Sequence, residues 1–474
     1  MRYLSTKNMN IFYSFTESAL GGLAPDGGLF IPETIPSYGK TVISSLNSMS
    51  FREIAFETIK PYVEGEITSS KLEELCNSAF PFNAPLVPVH PELELKEPIP
   101  ALMELFHGPT AAFKDFGARF MARTFSYLRR GENEPLQILV ATSGDTGGAV
   151  ADGFFGVEGI SVTILYPKGR VSDLQEKQIA GFASKKLASG EFASGNITAL
   201  AVEGSFDDCQ SLVKQAFTDK ALQEKLTLSS ANSINISRLI PQAVYYTAAA
   251  GRAQSGSRDS DGEATPRAAV SIKQPGGSKN RLPNGSGITF CVPSGNFGNL
   301  TAGLYALAMG APIAGFIAAT NINKTVPEYL ASGEYKTRPS QATISNAMDV
   351  GAPSNFERMA SHWSYEELTR MIRGAYITDD ETRAAISQVY RDYGYYLDPH
   401  GAVGWTAAQK ALAAGIGGAI VVAATAHPAK FSEIVEPLTG PVPVPPTIKA
   451  AMKRTAHSVT IPADLSALRD FLLS

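Results

Sequence analysis

Twice along this chain an apolar run of strand character passes at once into a glycine-rich turn and then into a helical pattern. Leu136-Gln-Ile-Leu-Val140 leads into Ala141-Thr-Ser-Gly-Asp-Thr-Gly-Gly-Ala-Val150, and Ile288-Thr-Phe-Cys-Val292 leads into Val292-Pro-Ser-Gly-Asn-Phe-Gly-Asn-Leu-Thr301. A strand that must turn tightly into a helix points to α/β layering with parallel sheets. Further strand-like runs at Ser161-Val-Thr-Ile-Leu165, Ile197-Thr-Ala-Leu-Ala-Val202 and Gly418-Ala-Ile-Val-Val-Ala423 extend the rhythm. Both turns also suit anions, because glycines admit close approach to backbone N–H groups and a helix N-terminus favours negative charge. Either turn alone is weak evidence, since every doubly wound protein has some. Neither follows the Gly-x-Gly-x-x-Gly dinucleotide pattern, and no Gly-x-x-x-x-Gly-Lys-Ser/Thr run occurs to suggest a nucleotide phosphate loop.

A third segment, His107-Gly-Pro-Thr-Ala-Ala-Phe-Lys-Asp-Phe-Gly-Ala-Arg119, sets Lys114 between Phe113 and Phe116. An amine becomes a Schiff-base nucleophile when its surroundings disfavour the ammonium form, and flanking aromatic rings can do this. Read alone, the segment fits the exposed edge of a helix equally well. With two anion cradles in the same chain, a phosphorylated cofactor becomes the better reading.

The 474 residues leave room for two or three domains, and 44% hydrophobic content is enough for substantial cores. A formal net charge of −4 with interspersed signs advertises neither a nucleic-acid nor a membrane partner. Cys76, Cys209 and Cys291 lie too far apart for a zinc cluster or disulfide framework, so reduced thiols in the cytoplasm are expected. The first residues lack an apolar core followed by a cleavage site, which argues against secretion. Thr301 to Asn321 is uncharged and nearly long enough to span a membrane, yet Gly303, Gly310, Pro312 and Gly315 predict a buried helix, a turn and a strand. Residues 1–98 lack the strand–helix rhythm and read as a separate, mainly helical N-terminal domain, leaving 99–474 as the α/β core. Within that core, 254–287 is rich in Gly, Ser, Pro and charge, and is expected to be a surface insertion.

Taken in order, these segments resemble threonine synthase, a fold type II pyridoxal-phosphate enzyme family related to the tryptophan synthase β chain, and its bacterial and fungal branch most of all. The matching pieces also include Gly22-Leu-Ala-Pro-Asp-Gly-Gly-Leu29, Leu165-Tyr-Pro167, Leu174-Gln-Glu-Lys177, Asn232-Ser-Ile-Asn-Ile-Ser-Arg238, Ser345-Asn-Ala-Met-Asp349, Asp398-Pro-His-Gly401 and Thr425-Ala-His-Pro-Ala-Lys-Phe431. Their co-occurrence in one order is specific where no single piece is. The 254–287 segment departs from the family, which passes this point with fewer residues.

The resemblance implies two α/β subdomains with pyridoxal 5'-phosphate in the cleft between them. Lys114 would hold the cofactor and move protons at the α and β carbons of the substrate. Gly295, Asn296, Phe297, Gly298 and Asn299 would grip the cofactor phosphate, and Thr425 would face the pyridine nitrogen. Ser143, Asp145 and Thr146 occupy the place where the α-carboxylate binds. Like charges repel strongly at low dielectric, so Asp145 is expected to cap its turn or be paired, leaving contact to Ser143, Thr146 and backbone N–H groups. Ser233 and Arg238 match the substrate-phosphate segment, with Asn296 and Lys430 as further candidates; a guanidinium fork suits phosphate oxygens. His107 and His400 sit in matching motifs but receive no catalytic step. No metal is implied.

The implied reaction is O-phospho-L-homoserine plus water giving L-threonine plus phosphate, by γ-elimination and β-hydration, in a cytoplasmic monomer. The leaving phosphate, beside the reacting carbons, is expected to act as base for the water. The rival of the same fold is a phospho-lyase or dehydratase that forms a 2-oxo acid. A non-catalytic cofactor-binding scaffold would have lost Lys114 or the second glycine turn, and both are intact.

Overall fold

Strand runs end where glycines begin, and this chain uses that rule to bring several parallel strand ends to one cleft. The computed structural model describes residues 1–89, 99–132, 134–183, 195–253 and 287–473. Among these, strands β1 (Tyr3–Ser5) and β2 (Phe30–Pro32) form an antiparallel pair. A larger sheet contains β3 (Leu86–Val87), β4 (Ala101–Glu104), β9 (Ile288–Pro293), β10 (Ile313–Thr320), β11 (Ile372–Tyr376) and β12 (Ile420–Ala424), in the order β11-β10-β9-β12-β4-β3. All its pairings are parallel except β3 with β4. The other sheet contains β5 (Leu136–Ala141), β6 (Ile160–Pro167), β7 (Ile197–Glu203), β8 (Thr227–Ser230) and β13 (Val459–Pro462). Its order is β13-β7-β6-β5-β8, parallel throughout. Parallel strands buried on both faces read as continuous apolar runs, which is why β5, β6, β7, β9 and β12 were legible as strings of Val, Ile, Leu and Ala.

The uncharged stretch 301–321 divides as its glycines predict. The buried helix Gly298–Ala308 ends before Gly310, which turns at φ +99°, and the chain returns as β10. Among the described residues no helix is long and apolar enough to cross a membrane. Cys76, Cys209 and Cys291 are free and buried.

The N-terminal region is mainly helical, with helices Phe15–Gly21, Lys40–Ser45, Phe51–Val63 and Ser69–Ala79. Ser14 with Glu17 and Ser50 with Glu53 close capping boxes on two of them, satisfying otherwise orphaned amides. Among the described residues the buried apolar packing is continuous between this region and the core. One buried cluster runs from Tyr3 and Phe51 through Phe80 to Phe116 and Tyr305, and Phe116 packs edge-on against Phe82 at 4.9 Å. The expected domain boundary near residue 98, and the expected insertion apart from Gly287, lie outside the described residues. Among the pairings without a sequence signal, β13, near the C-terminus, adds parallel to β7.

Candidate active site

The chain leaving β4 and the chain leaving β12 run side by side. Phe113 N donates to Thr425 O at 2.9 Å and His427 N to Ala111 O at 3.0 Å, which sets Lys114 beside Thr425. Lys114 opens the helix Lys114–Leu128, whose Phe116, Phe120, Met121 and Phe125 face the core at helical spacing. Phe113 gives that helix no side-chain cap; instead the buried Asp115 carboxylate turns back to accept from Thr110 N at 2.9 Å and Thr110 Oγ1 at 2.5 Å. Burial pushes Asp115 up to about 6 against those two bonds.

A cavity of about 330 Å³ opens where the two sheets' strand ends face each other, the usual place for a ligand in open α/β sheets. It is lined by Lys114 after β4, Ser143, Asp145 and Thr146 after β5, Ser233 and Arg238 after β8, Gly295 to Asn299 after β9, and Thr425 after β12. Twelve of the thirteen expected residues are thus brought together. Lys430 is the exception: it does not line the cavity, and its ammonium is fully buried against Asp145 Oδ1 at 2.8 Å and Thr110 O at 2.9 Å.

That placement answers the electrostatic puzzle of Asp145. Burial alone would raise its carboxyl, but the ammonium groups of Lys430 and Lys114 outweigh burial and hold it well below the usual carboxylate range. Asp145 is therefore an ionised, paired group at the head of the helix Asp145–Phe154. Its turn is tied by Thr142 Oγ1, which accepts from Gly144 N at 3.0 Å and Gly147 N at 2.9 Å. Gly144 stands at φ +143°, and a Cβ there would meet the Gln175 amide at 2.4 Å, so only glycine fits.

Burial pushes the Lys114 amine down to about 8; Asp145 opposes that shift, while Lys430 and Arg238 add to it. The desolvation that the sequence led us to expect around Lys114 is present.

After β9, in the same sheet as β4, the turn 295–299 opens the helix Gly298–Ala308 through Phe297, a left-handed residue at φ 60°. Asn299 fixes its carbonyl oxygen with two hydroxyls, Tyr245 at 2.6 Å and Tyr246 at 2.7 Å, and its Nδ2 is buried with no partner. Arg238 is 3% exposed; one of its Nη atoms donates to Ala231 O, and its Nε is buried without a partner. Burial pushes this guanidinium down to about 10, with Asp115 opposing. Buried donors left unpaired are costly, and nitrogens of this kind along a cavity call for acceptor oxygens. These donors, the glycine turn and Lys114 fit a phosphorylated aldehyde such as pyridoxal phosphate. Asn296 links this turn to Ser233 after β8, donating to its Oγ at 2.5 Å, and accepts from Ser354 N at 2.5 Å.

Three of the lining residues to which sequence reasoning gave no role stand out. His400 is 3% exposed, and its Nε2 is buried without a partner. Asn346 Oδ1 is likewise unpaired. Asp349 is pushed up to about 6 by burial, against hydrogen bonds from Thr343 and Asn321. The quoted segments Ser345–Asp349 and Asp398–Gly401 contained all three, but a lone histidine or amide in a matched motif gives no direction in space.

With that geometry in hand, the comparisons with known proteins are specific. Residues 2–80 match the family "Threonine synthase N terminus", 78–426 "Pyridoxal-phosphate dependent enzyme" and 401–472 "Threonine synthase, C-terminal". The threonine synthase of Escherichia coli (strain K12) is 38% identical over 480 residues, covering 100% of both chains. That of Haemophilus influenzae is 40% identical over 463 residues, covering 97% of this chain and 96% of the relative. The PLP-bound threonine synthase structure from Brucella melitensis superposes with a TM-score of 0.81 at 33% identity, covering 100% of this chain and 98% of that one. The lysine at a helix start, the paired aspartate beside it and the glycine turn after β9 are therefore features of a chain that belongs to the threonine synthase family of pyridoxal-phosphate-dependent enzymes.

Proposed function

We propose that the protein converts O-phospho-L-homoserine and water to L-threonine and phosphate. The observation that carries this reading is the cavity's charge pattern: it is lined by a lysine whose amine burial pushes down and by two residues with unpaired donors, Asn299 Nδ2 in the glycine turn and Arg238 Nε. One suits the cofactor phosphate and the other the substrate phosphate.

Pyridoxal phosphate, when bound, supplies the electron sink that lets carbon-bound hydrogens next to the amino group ionise. Lys114 is proposed to hold it and, once released, to take the proton from Cα and then from Cβ; an amine near 8 exchanges protons readily at neutral pH. Backbone N–H groups of 295–299 and Asn299 Nδ2 hold the cofactor phosphate, and Thr425 offers a neutral hydroxyl to the ring nitrogen. Ser143, Thr146 and the N-terminus of the helix Asp145–Phe154 receive the substrate carboxylate, while Lys430 neutralises Asp145 so that it does not repel that carboxylate. Arg238, Ser233 and Asn296 bind the departing phosphate, which stays beside Cβ and takes a proton from the incoming water. Lys430 thus exchanges its expected role as a phosphate ligand for one as counter-ion. The cytoplasm is the proposed compartment and the monomer the proposed form, the latter checked by sedimentation.

The test is product analysis with O-phospho-L-homoserine and pyridoxal phosphate, with Lys114→Ala as control. Equal amounts of phosphate and threonine, absent in the control, are expected. Phosphate with 2-oxobutyrate and no threonine would move the activity to the lyase reading.

A further inference from the structure

His400 is the second residue of the helix Pro399–Ala413, and the residue two places before it, Asp398, is that helix's N-cap. The Asp398 carboxylate accepts at both oxygens: Oδ1 takes Gly401 N at 3.1 Å, while Oδ2 takes His400 N at 3.0 Å and the His400 ring at Nδ1, 2.7 Å away. A carboxylate serving as a helix cap only accepts, so His400 Nδ1 carries the hydrogen. With the tautomer fixed by this partner, the neutral form of the ring presents a lone pair at Nε2. The Phe431 ring packs edge-on against the imidazole at 5.0 Å and stops it from turning. Nε2 is buried, has no partner and belongs to a residue lining the catalytic cavity. An acceptor held this firmly and left empty is a place for a small hydrogen-bond donor.

We infer that His400 Nε2 holds the water that adds to Cβ of the substrate. This rests on the activity proposed above. A water has two hydrogens and two lone pairs. With one hydrogen on Nε2 and the other on the phosphate held by Arg238 and Ser233, a lone pair is left to face Cβ. In the addition, the O–Cβ bond forms as the O–H bond toward phosphate breaks and that proton leaves on the phosphate; the Cα–Cβ π pair moves to Cα, which takes its proton back from Lys114, and His400 keeps its hydrogen bond and gains no proton. His400 thus decides whether the dephosphorylated carbon skeleton is hydrated to threonine or escapes and hydrolyses to the 2-oxo acid.

The test compares His400→Leu, which removes the acceptor, with His400→Gln, whose Oε1 reaches about as far from the backbone as Nε2. Phosphate, threonine and 2-oxobutyrate are measured on the cofactor-loaded enzyme, with the cofactor absorbance spectrum and thermal midpoint recorded for each variant. The wild type is expected to make threonine and phosphate equally. His400→Leu should release phosphate with a threonine to 2-oxobutyrate ratio lowered roughly tenfold, the scale of one oriented hydrogen bond, and His400→Gln should restore most of it. An unchanged ratio in a folded His400→Leu that binds cofactor overturns the role and leaves the activity standing. A ratio that falls equally in both variants also overturns it, because packing rather than the acceptor would then matter. If His400→Leu does not fold, His400→Gln decides alone, and a ratio below one-tenth of wild type sinks the proposal. A wild type that makes no threonine sinks both readings.

Discussion

Lys114 and Lys430 carry the same charged group and are buried in the same site, yet their neighbours give them opposite work. Lys430 has a carboxylate at 2.8 Å, whereas burial holds Lys114 down at about 8. In cofactor-free protein the fraction of Lys114 able to attack an aldehyde should therefore rise through about pH 8 instead of near 10.5. Borohydride trapping of pyridoxal phosphate, read by mass against pH, measures this, and a midpoint above 10 would contradict it. The sign for stability follows from the same shift. Between about 8 and 10.5 the unfolded chain binds more protons at Lys114 than the folded one, so the cost of burying this ammonium is present below 8 and fades as pH rises to 10.5. Lys430→Met makes the complementary point. It strands an ionised Asp145 in a buried site, a change that costs about 3–5 kcal/mol. Lys430→Met with Asp145→Asn should recover a large part of that in urea midpoints, and a double variant as unstable as the single would show that the pair is not what matters.

Elements positioned these residues, and the turn 295–299 shows how closely. A Cβ on Gly295 would stand 2.8 Å from Ala347 O and 2.9 Å from Met348 Cα, both backbone atoms with little freedom to yield. Gly295→Ala should weaken pyridoxal phosphate binding about tenfold, the effect of roughly 1–2 kcal/mol of overpacking, while the thermal midpoint moves little. Fluorescence titration of the cofactor-free variant measures it, and wild-type affinity would mean the turn is not the cradle. This scale was the most legible in the sequence. The runs ending at Val140 and Val292 became β5 and β9 because a parallel strand buried on both faces has to be apolar along its length, and the glycines mark where it turns. What stayed hidden was contact between distant elements. Lys430 looked like a phosphate ligand because charge type can be read from sequence, but its pairing with Asp145, 285 positions away, exists only after both sheets have formed. His400 is illegible for the same reason: Asp398 two residues earlier is visible, but not the unpartnered Nε2 of a residue that lines the cavity. β13 carried no turn or pattern that tied it to β7.

At the scale of the whole molecule, the N-terminal region and the cavity meet at Arg358. It is fully buried, and its donors go to oxygens from three parts of the chain. Nε donates to Phe30 O at 3.0 Å in β2; one Nη reaches Asn355 Oδ1 at 2.6 Å and Ser233 O at 3.4 Å, and the other reaches Ile234 O. Asn355 in turn donates to Asn296 O at 3.1 Å and Ser233 O at 3.3 Å. The guanidinium, held by neutral carbonyl oxygens, thus links β2 to the two loops proposed to bind the substrate phosphate, and burial pushes it down to about 10. A planar fork with five donors can serve four oxygens at once, where an ammonium with three cannot. Arg358→Met is expected to cost about 3 kcal/mol or more, since it leaves several buried carbonyls unpaired. Because Ser233 and Asn296 lose their brace, KM for O-phospho-L-homoserine should rise about tenfold with a smaller change in kcat, the pattern of lost substrate binding. Arg358→Lys should recover part of the stability and little of the KM. Steady-state kinetics and thermal melts on the three proteins check both parts, and a variant with lowered stability but wild-type KM would reduce Arg358 to a fastener, leaving the N-terminal region with no hold on the site through this residue.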